Sequence, residues 1–195
     1  MVVILEKIKF IRSQYTKIMT PKNSNVQKEW YVVYTRSRAE KKVARELELK
    51  DIEVFLPIHK QLRKWKDRKK WIETPLITGY CFVHVSRKEY FEVLQTMNVV
   101  CYITFEGKAA PVPQYQIDYL KKLTQQSDFE VTVTQENFKP GQKVEVISGP
   151  LVGIKGELIE SRGKQRFVLR FEQINSYISV EIPASDLSHL PDNKK

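Results

Sequence analysis

Cysteine is scarce in this 195-residue chain, with only Cys81 and Cys101 present. Two are too few for a disulfide framework, and with three histidines they leave little from which to build a metal site. Long apolar runs are missing as well. The charge-free stretch around Thr74–Ser86 falls well short of the ~18 residues that a membrane span needs. Glu6, Lys7 and Lys9 interrupt the apolar start, so no signal-peptide core is expected there. The chain has no CxxC, no HExxH, no phosphate-cradling GxxxxGK[ST] and no nucleophile elbow. Cys81 and His84 stand three apart on an expected strand, which points them to opposite faces and rules out a thiol–imidazole dyad. These absences argue against an enzyme, a cofactor, a metal and a membrane partner. The expectation is a soluble cytoplasmic protein.

What is present is positive charge, unevenly spread. The formal net charge is +10. Residues 1–123 hold 24 Lys and Arg against 13 Asp and Glu, whereas residues 124–195 hold 9 against 10. The densest piece, Lys60–Lys70 (KQLRKWKDRKK), has seven cations and one anion, Asp67, with Trp65 inside it and Trp71 beside it. Cations neutralise phosphates and release counterions, and an indole can stack on a base. The charge alone is equally compatible with a solvated hairpin tip. Apolar content of 42% is enough to bury a core.

Residues 1–29 read as a flexible leader. Residues 30–123 read as a first domain, 124–138 as a polar linker, and 139–190 as a second domain. In the first domain, Trp30–Tyr34 (WYVVY) predicts a buried strand. Ser37 and Glu40 are spaced as a capping box before a helix carrying Val43, Ala44 and Leu47. Ile52–Ile58 reads as strand, the basic segment turns near Lys66-Asp67, and Ile77–Val85 is the clearest strand. Ser86 and Glu89 form a second capping box, opening a helix with Tyr90, Val93, Leu94 and Met97 on one face. Val99–Phe105 is another strand, and Ile117, Leu120 and Leu123 mark a third helix. This order suggests an antiparallel sheet with packed helices. The second domain holds five of the seven glycines, Gly141, Gly149, Gly153, Gly156 and Gly163, between short alternating runs. Phe167, Leu169 and Phe171 share one face of such a run, and Arg166, Val168 and Arg170 the other. Short strands with glycine turns predict a small barrel. The fold class is therefore α+β.

The stretch FKPGQKVEVISGPLVGIKGELIES resembles a KOW motif, which implies an SH3-like barrel for residues 139–190. WYVVYTRSRAEKKVARELE and PLITGYCFVHV resemble the N-terminal domain of the NusG family of transcription elongation factors. The wording TPLITGYCFVHV, the ITFEGKAAPVP stretch and the leader are most similar to the specialised RfaH-type paralogues and the capsular-polysaccharide antiterminators of Bacteroidota.

The resemblance implies that the first domain docks an apolar face on the clamp helices of RNA polymerase, suppressing pausing or termination at specific operons such as surface-polysaccharide clusters. Tyr80 and Phe82 match the aromatic pair used for this contact, and Tyr34 and Phe105 match further members of the surface; each is otherwise an ordinary core residue. Contact with non-template or upstream DNA is implied for Arg36, Arg38, Lys41 and Lys42 and for the hairpin residues Arg63, Lys64, Trp65, Lys66, Arg68, Lys69 and Lys70. In housekeeping members the KOW domain binds a small-subunit ribosomal protein or Rho, and here Gly149, Pro150, Leu151 and Phe167 are the matching positions. Two rivals stay open: a housekeeping NusG, and a ribosome-associated KOW protein that binds RNA. The second predicts a basic KOW domain, which this sequence lacks.

Overall fold

The computed structural model describes residues 27–64, 69–126, 131–134, 141–161 and 164–191. Strand β1 (Glu29–Thr35) lies at the centre of the first sheet. Its β-branched and aromatic residues suit a pleated surface covered on both faces. Strand β5 (Tyr80–Val85) pairs antiparallel with it, placing Phe82 opposite Val32 and Tyr80 opposite Tyr34. Strand β2 (Glu53–Phe55) continues the sheet beyond β5. Strands β6 (Val99–Tyr102) and β9 (Pro111–Val112) pair with opposite ends of β1.

Two layers of helix follow from the two apolar faces. Behind the sheet, Val43 and Leu47 of helix α1 (Glu40–Glu48) and Val93 of helix α2 (Tyr90–Leu94) close on Val33, Cys81, Val83 and Val85. In front, Ile117, Leu120 and Leu123 of helix α3 (Gln114–Gln125) join Trp30, Val32 and Phe82. The Trp30 indole N–H donates to Gln114 Oε1 at 2.8 Å, and the Lys121 ammonium sits 5.6 Å from the Trp30 ring and 5.7 Å from that of Phe55. These contacts fix α3 across the front.

The two expected capping boxes part company. Ser86 and Glu89 bond reciprocally: the Ser86 N–H donates to Glu89 Oε2 at 2.8 Å, and the Glu89 N–H reaches Ser86 Oγ at 3.5 Å. Ser37 caps nothing, because Arg38 turns into the left-handed region (φ 60°) and Ala39 becomes the cap residue, with no side-chain bond. Glu40 points inward instead and accepts the Gly79 N–H at 2.6 Å. The α2 helix is also shorter than the spacing suggested. It ends at Leu94, so Met97 falls outside it and is exposed. The strand expected from Ile77 starts only at Tyr80, after a turn through Gly79. The expected strand 99–105 breaks into β6 and a small hairpin of β7 (Thr104–Phe105) and β8 (Lys108–Ala109), turned by Glu106 and Gly107, both at positive φ.

Strands β3 (Ile58–Lys64) and β4 (Lys69–Pro75) form a separate two-stranded ribbon. The second sheet contains β10 (Val131–Thr134), β11 (Gln142–Val146), β12 (Lys155–Ser161), β13 (Lys164–Phe171), β14 (Ser176–Val180) and β15 (Leu187–His189), in the order β10-β14-β13-β12-β11-β15. A closed barrel was the expectation, but the two edge strands β10 and β15 do not pair with each other among the described residues. Its core is Val144, Val146, Leu151, Ile154, Phe167, Leu169, Phe171 and Ile178. Val168, expected on the outer face, is fully buried too, since β13 is an inner strand of the sheet. Gly156 lets β12 pass β13: a Cβ there would stand 2.6 Å from both Phe167 Cζ and Val168 O.

The span expected as a linker contains the end of α3 and the whole of β10, whose alternating Val and Thr residues extend the β14 ladder. The two sheets touch through α3. Lys122 Nζ donates to Val152 O at 3.0 Å, Gln116 Nε2 to Arg170 O at 3.4 Å, and Tyr119 to Gly153 O at 3.5 Å. Beside these contacts a cleft of about 610 Å³ opens between α3 and strands β11–β13.

Candidate functional site

On the front of the first sheet, cross-strand register sets Tyr80, Tyr34 and Cys101 in one row, and Phe82 and Val32 in the next. The second row lies under α3. Phe82 is 0% exposed and packs against Phe55 at 6.2 Å between ring centroids. It is therefore a core residue in this conformation, which corrects the expectation that it lies on the surface. The first row is open. Tyr34 is 42% exposed and leans on the half-buried Tyr80 at 5.5 Å, with Cys101 exposed on its other side. Burial raises the Tyr80 pKa, and Tyr34 and Cys101 push it further the same way, so its hydroxyl stays neutral and can donate a hydrogen bond.

Gly79 seats this row. Its φ of 84° favours glycine, and a Cβ there would come within 3.1 Å of Tyr34 Cε2. Its carbonyl accepts the Thr35 N–H at 2.8 Å while its N–H goes to Glu40. Cys81, behind the sheet, is no nucleophile: burial, aided by Glu40, pushes its thiol up to about 12. Phe105 is 72% exposed, but it stands on the β7–β8 hairpin rather than in the row.

The four cations of the first strand–helix junction are all exposed. Arg36 and Arg38 enter no ion pair among the described residues, whereas Lys41 donates to Glu73 O at 2.9 Å and Lys42 touches Met97 Sδ at 3.9 Å. Lys41 thereby ties the ribbon to α1. On the ribbon, Lys69 is exposed and Lys60 pairs with Glu73 at 3.2 Å. Trp65, Lys66 and Arg68 lie outside the described residues, as do the side chains of Arg63, Lys64 and Lys70. Backbone register still sets Arg63 opposite Lys70 and Lys64 opposite Lys69. Trp71, the indole that the sequence places beside the basic piece, is 59% exposed on this ribbon.

In the second unit, Leu151 and Phe167 are buried core residues, which removes them from any contact surface in this state. Gly149 and Pro150 are exposed. The apolar groups open to solvent beside them are Ile147 and Val152, the first of which strand alternation from Val144 and Val146 points outward. Arg170 grips Glu157 in a fork of 3.0 and 2.9 Å, and its guanidinium lies 4.6 Å over the Tyr177 ring. The Arg170 hydrogen bonds hold the Glu157 carboxyl below its usual range against the opposing effect of burial.

No curated protein matches this chain. Among solved structures, it is similar to one described as domain interaction in Thermotoga maritima NusG, at 23% identity and a TM-score of 0.47, covering 84% of this chain and 98% of that one. The MjSpt4:Spt5 complex is similar in conformation B at 19% identity (TM-score 0.29, covering 85% and 99%) and in conformation A at 18% (TM-score 0.28, covering 83% and 97%). Among the described residues, no helix is long and apolar enough to cross a membrane. The family model described as transcription termination factor NusG matches residues 28–121, the segment that builds the first sheet, its three helices and the ribbon. It is over residues 28–121, the greater part of the first unit, that this chain is similar to the NusG family.

Proposed function

We propose that this protein is a transcription elongation and antitermination factor that binds RNA polymerase through the open end of its first sheet. The observation that carries the reading is the solvent-facing row Tyr80–Tyr34–Cys101 on a NusG family domain, bounded by the sealed Phe82 row. Aromatic anchors at the centre of an apolar patch suit the contact of a helix with a groove. Phe105, on its own hairpin, supplies a second apolar contact. Binding energy is then used to favour one polymerase conformation, so the outcome is a population shift without chemistry.

DNA of the elongation complex is held by Arg36, Arg38, Lys42 and the ribbon, through charge. The second unit acts as a KOW domain, with Gly149 and Pro150 flanked by Ile147 and Val152 as its surface for a ribosomal protein or Rho. The targets are specific operons, as in the surface-polysaccharide antiterminators that the sequence resembles.

The test is a reconstituted elongation complex with the wild-type chain and the Tyr34→Ala/Tyr80→Ala double variant. Loss of the anchors is expected to weaken polymerase binding by roughly thirtyfold or more, the scale of a hot spot. A folded double variant that binds polymerase as tightly as wild type refutes the docking face.

A further inference from the structure

Glu40 is the first residue of α1 and lies behind the first sheet, only 5% exposed. A carboxylate in the first turn of a helix is well placed in water, where the helix dipole already favours it. Burying it costs free energy unless it is hydrogen-bonded. Among the described residues no cation pairs with it. The needs of α1 therefore do not explain why it points inward. What it meets there is the Gly79 N–H, at 2.6 Å, the short distance of a charge-assisted bond. The Glu40 main-chain carbonyl accepts the Cys81 thiol at 3.5 Å, so both sides of Tyr80 are tied to the same residue.

Gly79 in turn lies against the open row. The space for a Cβ there is taken by the Tyr34 ring, 3.1 Å from Cε2, and the Tyr80 ring stands 5.5 Å from that of Tyr34. These contacts limit the rotamers of a phenol that is otherwise half in water. We propose that Glu40 is a positioning residue for the docking row: its carboxylate fixes the Gly79 peptide, and that peptide holds Tyr34 at one angle to Tyr80. The inference rests on the docking face proposed above and adds a residue that touches no partner. An anchor ordered beforehand loses less freedom on binding than one ordered by the partner.

The test is a double-mutant cycle on the full chain, read as affinity for RNA polymerase at a temperature where every variant is folded. Glu40→Ala should weaken binding about fivefold, the scale of ordering a side chain on contact. Glu40→Gln, whose amide oxygen still accepts the Gly79 N–H, should restore most of the loss. In the Tyr34→Ala background Glu40→Ala should cost nothing further, whereas a purely structural role gives the same loss in both backgrounds. A second readout needs no polymerase. The nuclear Overhauser contact between the Gly79 Hα protons and the Tyr34 ring should be strong in wild type and Glu40→Gln and lost in Glu40→Ala. Unchanged affinity in folded Glu40→Ala, equal losses in the two backgrounds, or an Overhauser contact that survives Glu40→Ala would each overturn the proposal. If wild type does not bind polymerase, the docking face fails, and the Overhauser contact alone decides whether Glu40 positions Tyr34.

Discussion

The two units of this chain treat their charged and aromatic groups in opposite ways. The first leaves Arg36 and Arg38 exposed and without ion pairs among the described residues, and turns Tyr34 and Trp71 to solvent. In the second, Arg170 closes on Glu157 and Tyr177, Lys155 approaches Glu145 at 3.7 Å, and Phe167 and Phe171 are sealed inside. The second unit satisfies these groups internally, whereas the first leaves several of them exposed. Groups left unsatisfied in an otherwise well-packed domain are a better guide to contact surfaces than residue type alone.

The sharpest challenge to this contrast lies within the first unit, between neighbouring rings on one sheet face. Phe82→Ala should cost roughly 3–5 kcal/mol of stability, because it empties a core site. Tyr34→Ala should cost well under that, about 1 kcal/mol or less, because the ring is already half in water. Urea melts of the two variants give the comparison; equal losses would mean that Tyr34 is a core residue and the open row is misread.

A smaller effect is expected in the second unit. Arg170→Met removes the fork on Glu157 and should cost about 2 kcal/mol. The native Glu157 carboxyl titrates below its ordinary range, so its contribution is complete above the usual carboxylate pKa and disappears as the pH falls through the lowered one. Wild type should therefore lose stability on acidification more steeply than Arg170→Met. Parallel acid limbs for the two proteins would show that the pair contributes nothing.

The smallest expected difference separates the two serines once read alike. Ser86→Ala should cost about 1 kcal/mol through the lost cap, while Ser37→Ala should stay within about 0.5 kcal/mol. Thermal melts of the two would decide it.

Much of the fold was legible because it follows from local periodicity. The spacing of Ile117, Leu120 and Leu123 located α3, and all three are buried. The alternation of Phe167, Leu169 and Phe171 located the inner face of β13. What was not legible depends on tertiary contact. Glu40 carries the right spacing for a cap, yet Gly79, distant in sequence, offers it a backbone donor and takes it away from Ser37. Phe82 and Tyr80 stand two apart on one strand and look equivalent, and only the path of α3 decides which of them reaches water. The sequence likewise marked the Lys60–Lys70 cations but could not separate the ribbon's hydrated face from its inner one, which required the cross-strand register.

The Gly79 turn joins both sides of the first sheet. A carboxylate rooted in the rear helix grips the amide of this turn, and the turn in turn cradles the phenol ring facing outward. Any shift of α1 is thereby transmitted through a single peptide to the orientation of Tyr34. Substitutions at position 40, on the far side of the sheet from the open row, would retune the grip of the opposite surface.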